Sequence, residues 1–322
     1  MFEVIYDGSK NKNNIKDVFP RVLRSLFERD PDVIYLDADL MNSFGTIGLY
    51  REMPERCIDC GIQEANMMGV AAGLSEVGRK PYVHTFGPFA SRRVFDTTFI
   101  SIAYAKLDVR IIGTDAGVTA AMNGGTHMPF EDIATYCVVP DAMVIDIADP
   151  VQFEDVLWKT KDRHGLTYIR TTRKELDNIY KEGSTFTLGK ANILRTGTDV
   201  TFVATGIMVG VAMAAAKMLE AKGIHATVID MFTIKPMDKA AVLESAMLTG
   251  AVVTAENANV IGGMGSMVSA YLSSVYPVPV VQVGIQDLFG EVGPEDYLRK
   301  RFNLEPVDLV EAAEKALALK KA

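Results

Sequence analysis

Cysteine is scarce in this chain, with three residues in 322. Three thiols cannot build a disulfide framework, which points to a reducing compartment. Residues 1–14 are polar, carry mixed charge and lack the apolar core of a signal peptide, so the expected location is cytoplasmic. Positive charge is in deficit. The 33 Lys and Arg against 41 Asp and Glu leave a net charge of −8, which excludes a general basic surface for nucleic acid while allowing a local basic pocket. Long apolar runs are missing too. The uncharged stretch 201–216 contains Gly206 and Gly210 and falls short of the ~18–20 apolar residues that a membrane-spanning helix needs. No membrane contact is expected. Also absent are the Gly-x-x-x-x-Gly-Lys-Ser/Thr phosphate loop, a Gly-x-Gly-x-x-Gly after the first strand, and the Gly-x-Ser-x-Gly nucleophile elbow.

What is present is ordinary globular chemistry, 48% apolar and 23% charged, with length for two domains of ~100–200 residues. Short β-branched runs alternate with helical patterns. Strands are predicted over 32–37, 81–85, 109–114, 143–146 and 167–170, with helices over 16–29, 64–76, 95–105 and 151–161. Asp149 is placed to cap the last of these, with Pro150 as its first residue. A polar passage, 173–188, reads as an interdomain linker with an entering strand. The alternation then resumes, with strands over 200–205, 227–230, 252–256 and 280–283 and helices over 209–222, 239–247, 265–274 and 307–319. Such alternation builds βαβ units. The expected fold class is α/β, with two doubly wound domains of mainly parallel sheets, residues 1–180 and 187–322.

Several clusters could carry chemistry. Cys57-Ile-Asp-Cys60 has a spacing that suits zinc or redox work. No second ligand pair accompanies it, however, and the run reads as a strand in which positions three apart face opposite sides. A structural role is expected there, and no metal site. Gly262-Gly-Met-Gly265 could approach an anion or make a tight start to a helix. Glu64, in Gly61-Ile-Gln-Glu64, stands just past a strand end at the start of a Gly- and Ala-rich helix, where an ordinary dipole-favoured carboxylate is the plain reading. Ligands of open α/β sheets bind beyond such ends. Phe86 and Phe89 flank a Gly-Pro turn, either as core aromatics or exposed to grip a flat ring. His127 is presented by the Gly-rich loop Met122–Asp132, a reasonable place for an acid–base group.

Taken in order, Asp37-Ala-Asp-Leu40, Gly61-Ile-Gln-Glu64, Thr85-Phe86, Gly125-Thr-His127 and Glu131-Asp132 resemble the C-terminal half of transketolase from about residue 16 onward. The resemblance implies a pyrimidine-binding domain followed by the family's C-terminal domain, and thiamine diphosphate as cofactor. It implies that Glu64 activates the cofactor by sitting at its pyrimidine ring, that Phe86 and Phe89 stack on that ring, and that Asp39 lies near cofactor and subunit contact. Arg92 replaces a third aromatic. His127 is implied to move protons at the sugar's first carbons. Lys16, Ser43 and Arg173 fall where the family holds the sugar phosphate, with Lys16 in place of an arginine; for these three a solvated surface remains the alternative.

The family's Gly-Asp-Gly…Asn motif, which holds metal and diphosphate, is missing. The resemblance therefore implies a transferase split over two chains, inactive alone. The partner would be an N-terminal-half transketolase subunit holding Mg2+ or Ca2+, in a heterotetramer with two of each chain. Its substrates would be a ketose-phosphate donor and an aldehyde acceptor. Two positions depart from the usual pattern. Asn123 stands for an aspartate that reads a donor hydroxyl, and Asp115 for a histidine near the phosphate, which together suggest a donor other than xylulose 5-phosphate. The rival reading is the β subunit of a 2-oxoacid dehydrogenase, which shares the two domains and the glutamate. The Gly125-Thr-His-Met-Pro loop favours transketolase.

Overall fold

The structure is a computed structural model and describes residues 1–321. Six strands come from the first half of the chain: β1 (Val33–Asp37), β2 (Cys57–Asp59), β3 (Lys80–Phe86), β4 (Arg110–Thr114), β5 (Met143–Asp146) and β6 (Thr167–Arg170). The second half supplies β7 (Asn192–Arg195), β8 (Val200–Ala204), β9 (Ala226–Asp230), β10 (Thr233–Lys235), β11 (Val252–Asn259) and β12 (Val280–Ile285). They form a seven-stranded sheet in the order β10-β5-β6-β4-β3-β1-β2 and a five-stranded sheet in the order β12-β11-β8-β9-β7. Every pairing is parallel except those of the edge strands β10 with β5 and β7 with β9. The mixed α/β class with two mainly parallel sheets is the one the alternation implied.

The reason lies in burial on both faces. Strands β4, β5, β6, β8 and β9 are buried along their whole length, as expected where helices cover both sides of a parallel sheet. The helix Ile15–Arg29 turns Ile15, Val18, Phe19, Val22, Leu23, Leu26 and Phe27 inward. Helix Pro150–Thr160 starts as predicted, with Asp149 accepting from the Val151 N–H at 2.6 Å. No helix among the described residues is long and apolar enough to cross a membrane.

The structure corrects three readings. Passage 173–188 contains no regular strand. It touches the N-terminal segment through isolated bridges, Val4 with Tyr180 and Lys10 with Asp177, and the strand follows later as β7. The predicted helix 95–105 is largely a π-helix, Thr98–Tyr104. The short strand β10, unmarked in the pattern, crosses from the second half to complete the first sheet.

Candidate active site

Strands β2, β1, β3, β4 and β6 run parallel and deliver their carboxyl ends to one edge, the side of an open α/β sheet where ligands bind. After β2 the chain turns through Gly61 into helix Glu64–Glu76. Glu64 lies in the first turn, where the helix dipole favours a carboxylate, yet it is only 4% exposed. Strand β3 ends at Phe86 and turns at Gly87-Pro88. A Cβ on Gly87 would fall 2.5 Å from Pro129 Cγ and 3.3 Å from the Thr114 carbonyl oxygen. Glycine there lets the His127 loop close over the end of β3.

A continuous run of side chains crosses this edge. Arg93 Nη1 is 2.7 Å from Glu64 Oε1, and its guanidinium lies 3.7 Å from the Phe89 ring centre. Phe89 meets His127 edge to face at 5.2 Å, and His127 meets Phe86 at 6.1 Å. Arg173 covers Phe86 at 4.7 Å and grips Asp115 with two bonds, Nε to Oδ1 at 2.9 Å and Nη2 to Oδ2 at 2.5 Å. Phe86 is 8% exposed, so the reading of it as an exposed ring is corrected: Arg173 and His127 cover it. Arg92 turns away, pairing with Glu131 at 2.6 Å and donating to the Thr126 carbonyl at 2.7 Å. Glu64, Phe86, Phe89, His127, Asp115 and Arg173 are thus brought together. Lys16, Asp39 and Asn123 are exposed and Ser43 half-buried. The Lys16 carbonyl sits against Gly45, placing the start of helix Ile15–Arg29 over the turn that carries Ser43.

Two features escaped sequence reasoning. Arg93 is one; its only sequence signal is the four-residue spacing from Phe89. The other is a buried relay beneath the edge. His84 Nδ1 lies 2.7 Å from Asp37 Oδ2, and its Nε2 lies 3.0 Å from the Thr114 hydroxyl. His84 thus bridges Asp37 and Thr114 through its two ring nitrogens. Asp37 also accepts from the Leu40 N–H and the Tyr35 hydroxyl, each at 2.5 Å. Burial and the Asp37 charge push the Tyr35 pKa well above its ordinary value. The relay ties together β1, β3 and β4 just before Asp39 and Asp115, both of which adopt positive φ, 62° and 61°.

The cysteines are not activated. Burial pushes the Cys57 thiol up to about 12 and raises that of Cys60. At Gly262-Gly-Met-Gly265 the tight helix start is what forms. Its Met264 and Gly265 N–H groups donate to the chain's own Glu256 carboxylate at 2.7 and 2.8 Å.

The residues fit one side of a flat, nitrogen-bearing ring: two phenyl rings 6.2 Å apart and a sheltered carboxylate. They do not fit a diphosphate. Arg92, Arg93 and Arg173 are each already paired with a carboxylate, Glu131, Glu64 and Asp115 respectively.

Known proteins resemble the chain along nearly its whole length. The transketolase pyrimidine-binding-domain model matches residues 11–178 and the transketolase C-terminal-domain model residues 189–309. The chain is 46% identical over 299 residues to the 6-deoxy-6-sulfo-D-fructose transketolase subunit SqwH of Clostridium sp. (strain MSTE9), covering 93% of each chain. It is 34% identical to an apulose-4-phosphate transketolase subunit of Phocaeicola vulgatus, over 84% of this chain and 86% of that one. A solved split-gene transketolase, described as an inactive β4 tetramer, superposes with a TM-score of 0.88 at 42% identity. The match covers 96% of this chain and all of the other.

Proposed function

Because the chain belongs to the transketolase family, we propose that it is the half of a two-chain transketolase that supplies the pyrimidine side of the site. The observation that carries the reading is the unbroken run from Glu64 to Asp115 at one sheet edge, with two phenylalanine rings in it and Arg92, Arg93 and Arg173 each already paired with a carboxylate. The dehydrogenase reading is not favoured, since the relatives are transketolase subunits. On this proposal the diphosphate and its Mg2+ or Ca2+ are held by an N-terminal-half subunit, in a cytoplasmic assembly with two of each chain. Residues 1–180 and 187–322 form the two domains, β10 apart.

Thiamine diphosphate, when bound, supplies the nucleophilic carbon that takes up the two-carbon unit. Glu64 would meet the ring nitrogen of the aminopyrimidine with the carboxylate oxygen that its pair with Arg93 leaves free, in a place sheltered from solvent. Phe86 and Phe89, tilted 39° to one another, would border the ring with the aromatic surface that Arg93 and Arg173 leave uncovered. Asp39 would lie beside the cofactor, and Arg92, held by Glu131 and the Thr126 carbonyl, would meet it only through the His127 loop that it braces. His127 moves a proton at the donor oxygens during carbon–carbon cleavage. Lys16, Ser43, Asn123, Asp115 and Arg173 line the path of the donor chain.

The Asp115–Arg173 pair shapes donor choice. A phosphate carries about −1.5 to −2 charges at neutral pH, whereas a sulfonate carries one. An arginine already neutralised by a carboxylate favours the lighter charge, in keeping with the sulfonated ketose named for the Clostridium relative. The donor proposed is therefore a modified ketose rather than xylulose 5-phosphate. The test is ketol transfer by the two-chain enzyme across phosphorylated and sulfonated ketoses. A sulfonated ketose should give the highest kcat/KM, and Asp115→Asn should shift preference toward phosphates. A clear preference for xylulose 5-phosphate would overturn the donor assignment, and no transfer from any ketose would overturn the reading itself.

A further inference from the structure

The carboxyl edge of the second sheet faces the first half of the molecule, not solvent. Strand β9 ends at Asp230, which accepts from Gln152 Nε2 at 2.7 Å and from the Tyr180 hydroxyl at 2.5 Å. The loop after β12 closes on the His127 loop: a Cβ on Gly125 would fall 2.3 Å from the Gly290 carbonyl oxygen, and one on Gly124 2.7 Å from Val292 Cγ2. Asn257, near the end of β11, is the most fully engaged group. It is 0% exposed. Its Oδ1 accepts from the Val118 N–H at 3.0 Å, its Nδ2 donates to the Ala116 carbonyl at 2.9 Å, and its own carbonyl accepts from Arg170 Nη2 at 2.5 Å.

The amide suits this pair of backbone groups, because its Oδ1 accepts and its Nδ2 donates, side by side, at the end of a short side chain. The residue between them, Gly117, has φ 52°, and a Cβ there would fall 2.2 Å from Asn257 Oδ1. Asn257 and Gly117 are therefore fitted to each other. The clamped backbone begins one residue after Asp115. Asp115 is itself at positive φ and bound to Arg173. The direction in which that ion pair meets a donor is set by the backbone Asn257 holds.

We infer that Asn257 is a positioning residue for the donor: from the second sheet it fixes the turn Ala116–Val118 and thereby the aim of Asp115 and Arg173. This rests on the reading of the first edge as the ketol-transfer site. Asn257 touches neither cofactor nor donor, so its loss should weaken donor recognition more than cofactor activation. Asn257→Asp keeps the acceptor for Val118 but sets a carboxylate against the Ala116 carbonyl. Asn257→Ala leaves both buried backbone groups unpaired.

The test measures donor KM, kcat, and hydrogen exchange over residues 115–119 in the two-chain enzyme and both variants. In the parent, exchange of that segment should be as slow as in the adjoining strand β4, because Val118 N–H has a buried partner. In Asn257→Asp, donor KM should rise about tenfold, kcat and thiamine diphosphate affinity should change far less, and exchange should quicken in that segment alone. An unchanged donor KM, or equal losses in kcat and cofactor affinity, would overturn the assignment. If neither variant folds, rapid exchange of 115–119 in the parent still overturns it and slow exchange supports it. A parent that shows no ketol transfer defeats the functional reading instead, and leaves the exchange comparison to judge the clamp.

Discussion

The two sheets share one construction and put it to different uses. At the carboxyl edge of the first, the strand ends carry Glu64, Phe86, Asp115 and Arg173 to a face bordered by the partly exposed Phe89 and His127. At the same edge of the second, Asp230, Glu256 and Asn257 are all 0% exposed and bond to backbone or to the first half of the chain. Gly206, just past β8, lies against the Asp146 carboxylate, where a Cβ would fall 2.4 Å from Oδ2. The fold makes a polar, loop-rich edge wherever parallel strands end. Whether that edge becomes a site or a joint depends on what covers it.

Two glutamates sharpen the contrast, since each stands by a helix start. Glu64→Gln should lower turnover of the two-chain enzyme by ~10²–10⁴-fold, the scale of a lost acid–base group. It should cost the isolated chain about 1 kcal/mol, the scale of a helix-start carboxylate paired with a half-exposed arginine. Glu256→Gln should do the reverse. Glutamine has one acceptor where Glu256 takes both the Met264 and Gly265 N–H groups, so one buried N–H loses its partner at a cost of ~1–3 kcal/mol, while kcat of the folded enzyme stays near the parent value. Turnover assays beside melting curves check both. A Glu64 variant that lost stability but kept activity would erase the distinction.

The smaller effect is a pH dependence that belongs to the second edge. Burial pushes the Asp230 carboxyl up to about 6 against the bonds from Tyr180, Gln152 and Asn192, and Asp146 up to about 6 against the pull of Arg170. Burial likewise raises Glu256 to about 7, partly offset by the Gly265 and Met264 N–H groups. A carboxyl raised in the folded state keeps a proton that the unfolded chain has released. Stability from these groups therefore falls as pH climbs from about 4 to about 7, then stays level. Asp30 works oppositely. Burial raises it, but Lys161 and Lys80 outweigh that and hold it well below the ordinary carboxylate range, so its contribution is lost as pH falls below about 4. Melting temperature of the isolated chain should be highest near pH 4 and fall toward pH 7, and Asp230→Asn should flatten the alkaline side. A maximum at pH 8 would contradict this ordering.

The sequence made the first edge largely legible because its residues lie in compact local motifs. Glu64 follows a strand end within four residues of Gly61, Phe86 and Phe89 bracket one turn, and His127 sits in one Gly-rich loop. What remained hidden depends on contacts between distant segments. Arg93 finds Glu64 across 29 residues and His84 finds Asp37 across 47, both after the strands are ordered side by side. Asn257 finds Val118 across 139, which needs the two halves docked. Strand β10 escaped for a related reason, since three residues carry too little periodicity and its partner β5 lies in the other half. The ion pair between Asp115 and Arg173 was likewise invisible, although each residue was singled out separately.

The central claim is that this chain supplies one wall of a shared site and cannot hold the cofactor alone. Calorimetric titration with thiamine diphosphate and Mg2+ tests it most directly, run on this chain, on a partner bearing Gly-Asp-Gly…Asn, and on their mixture. The account predicts tight binding, one cofactor per pair of chains, only in the mixture, and little heat from this chain alone. Tight, stoichiometric binding to this chain by itself would contradict it.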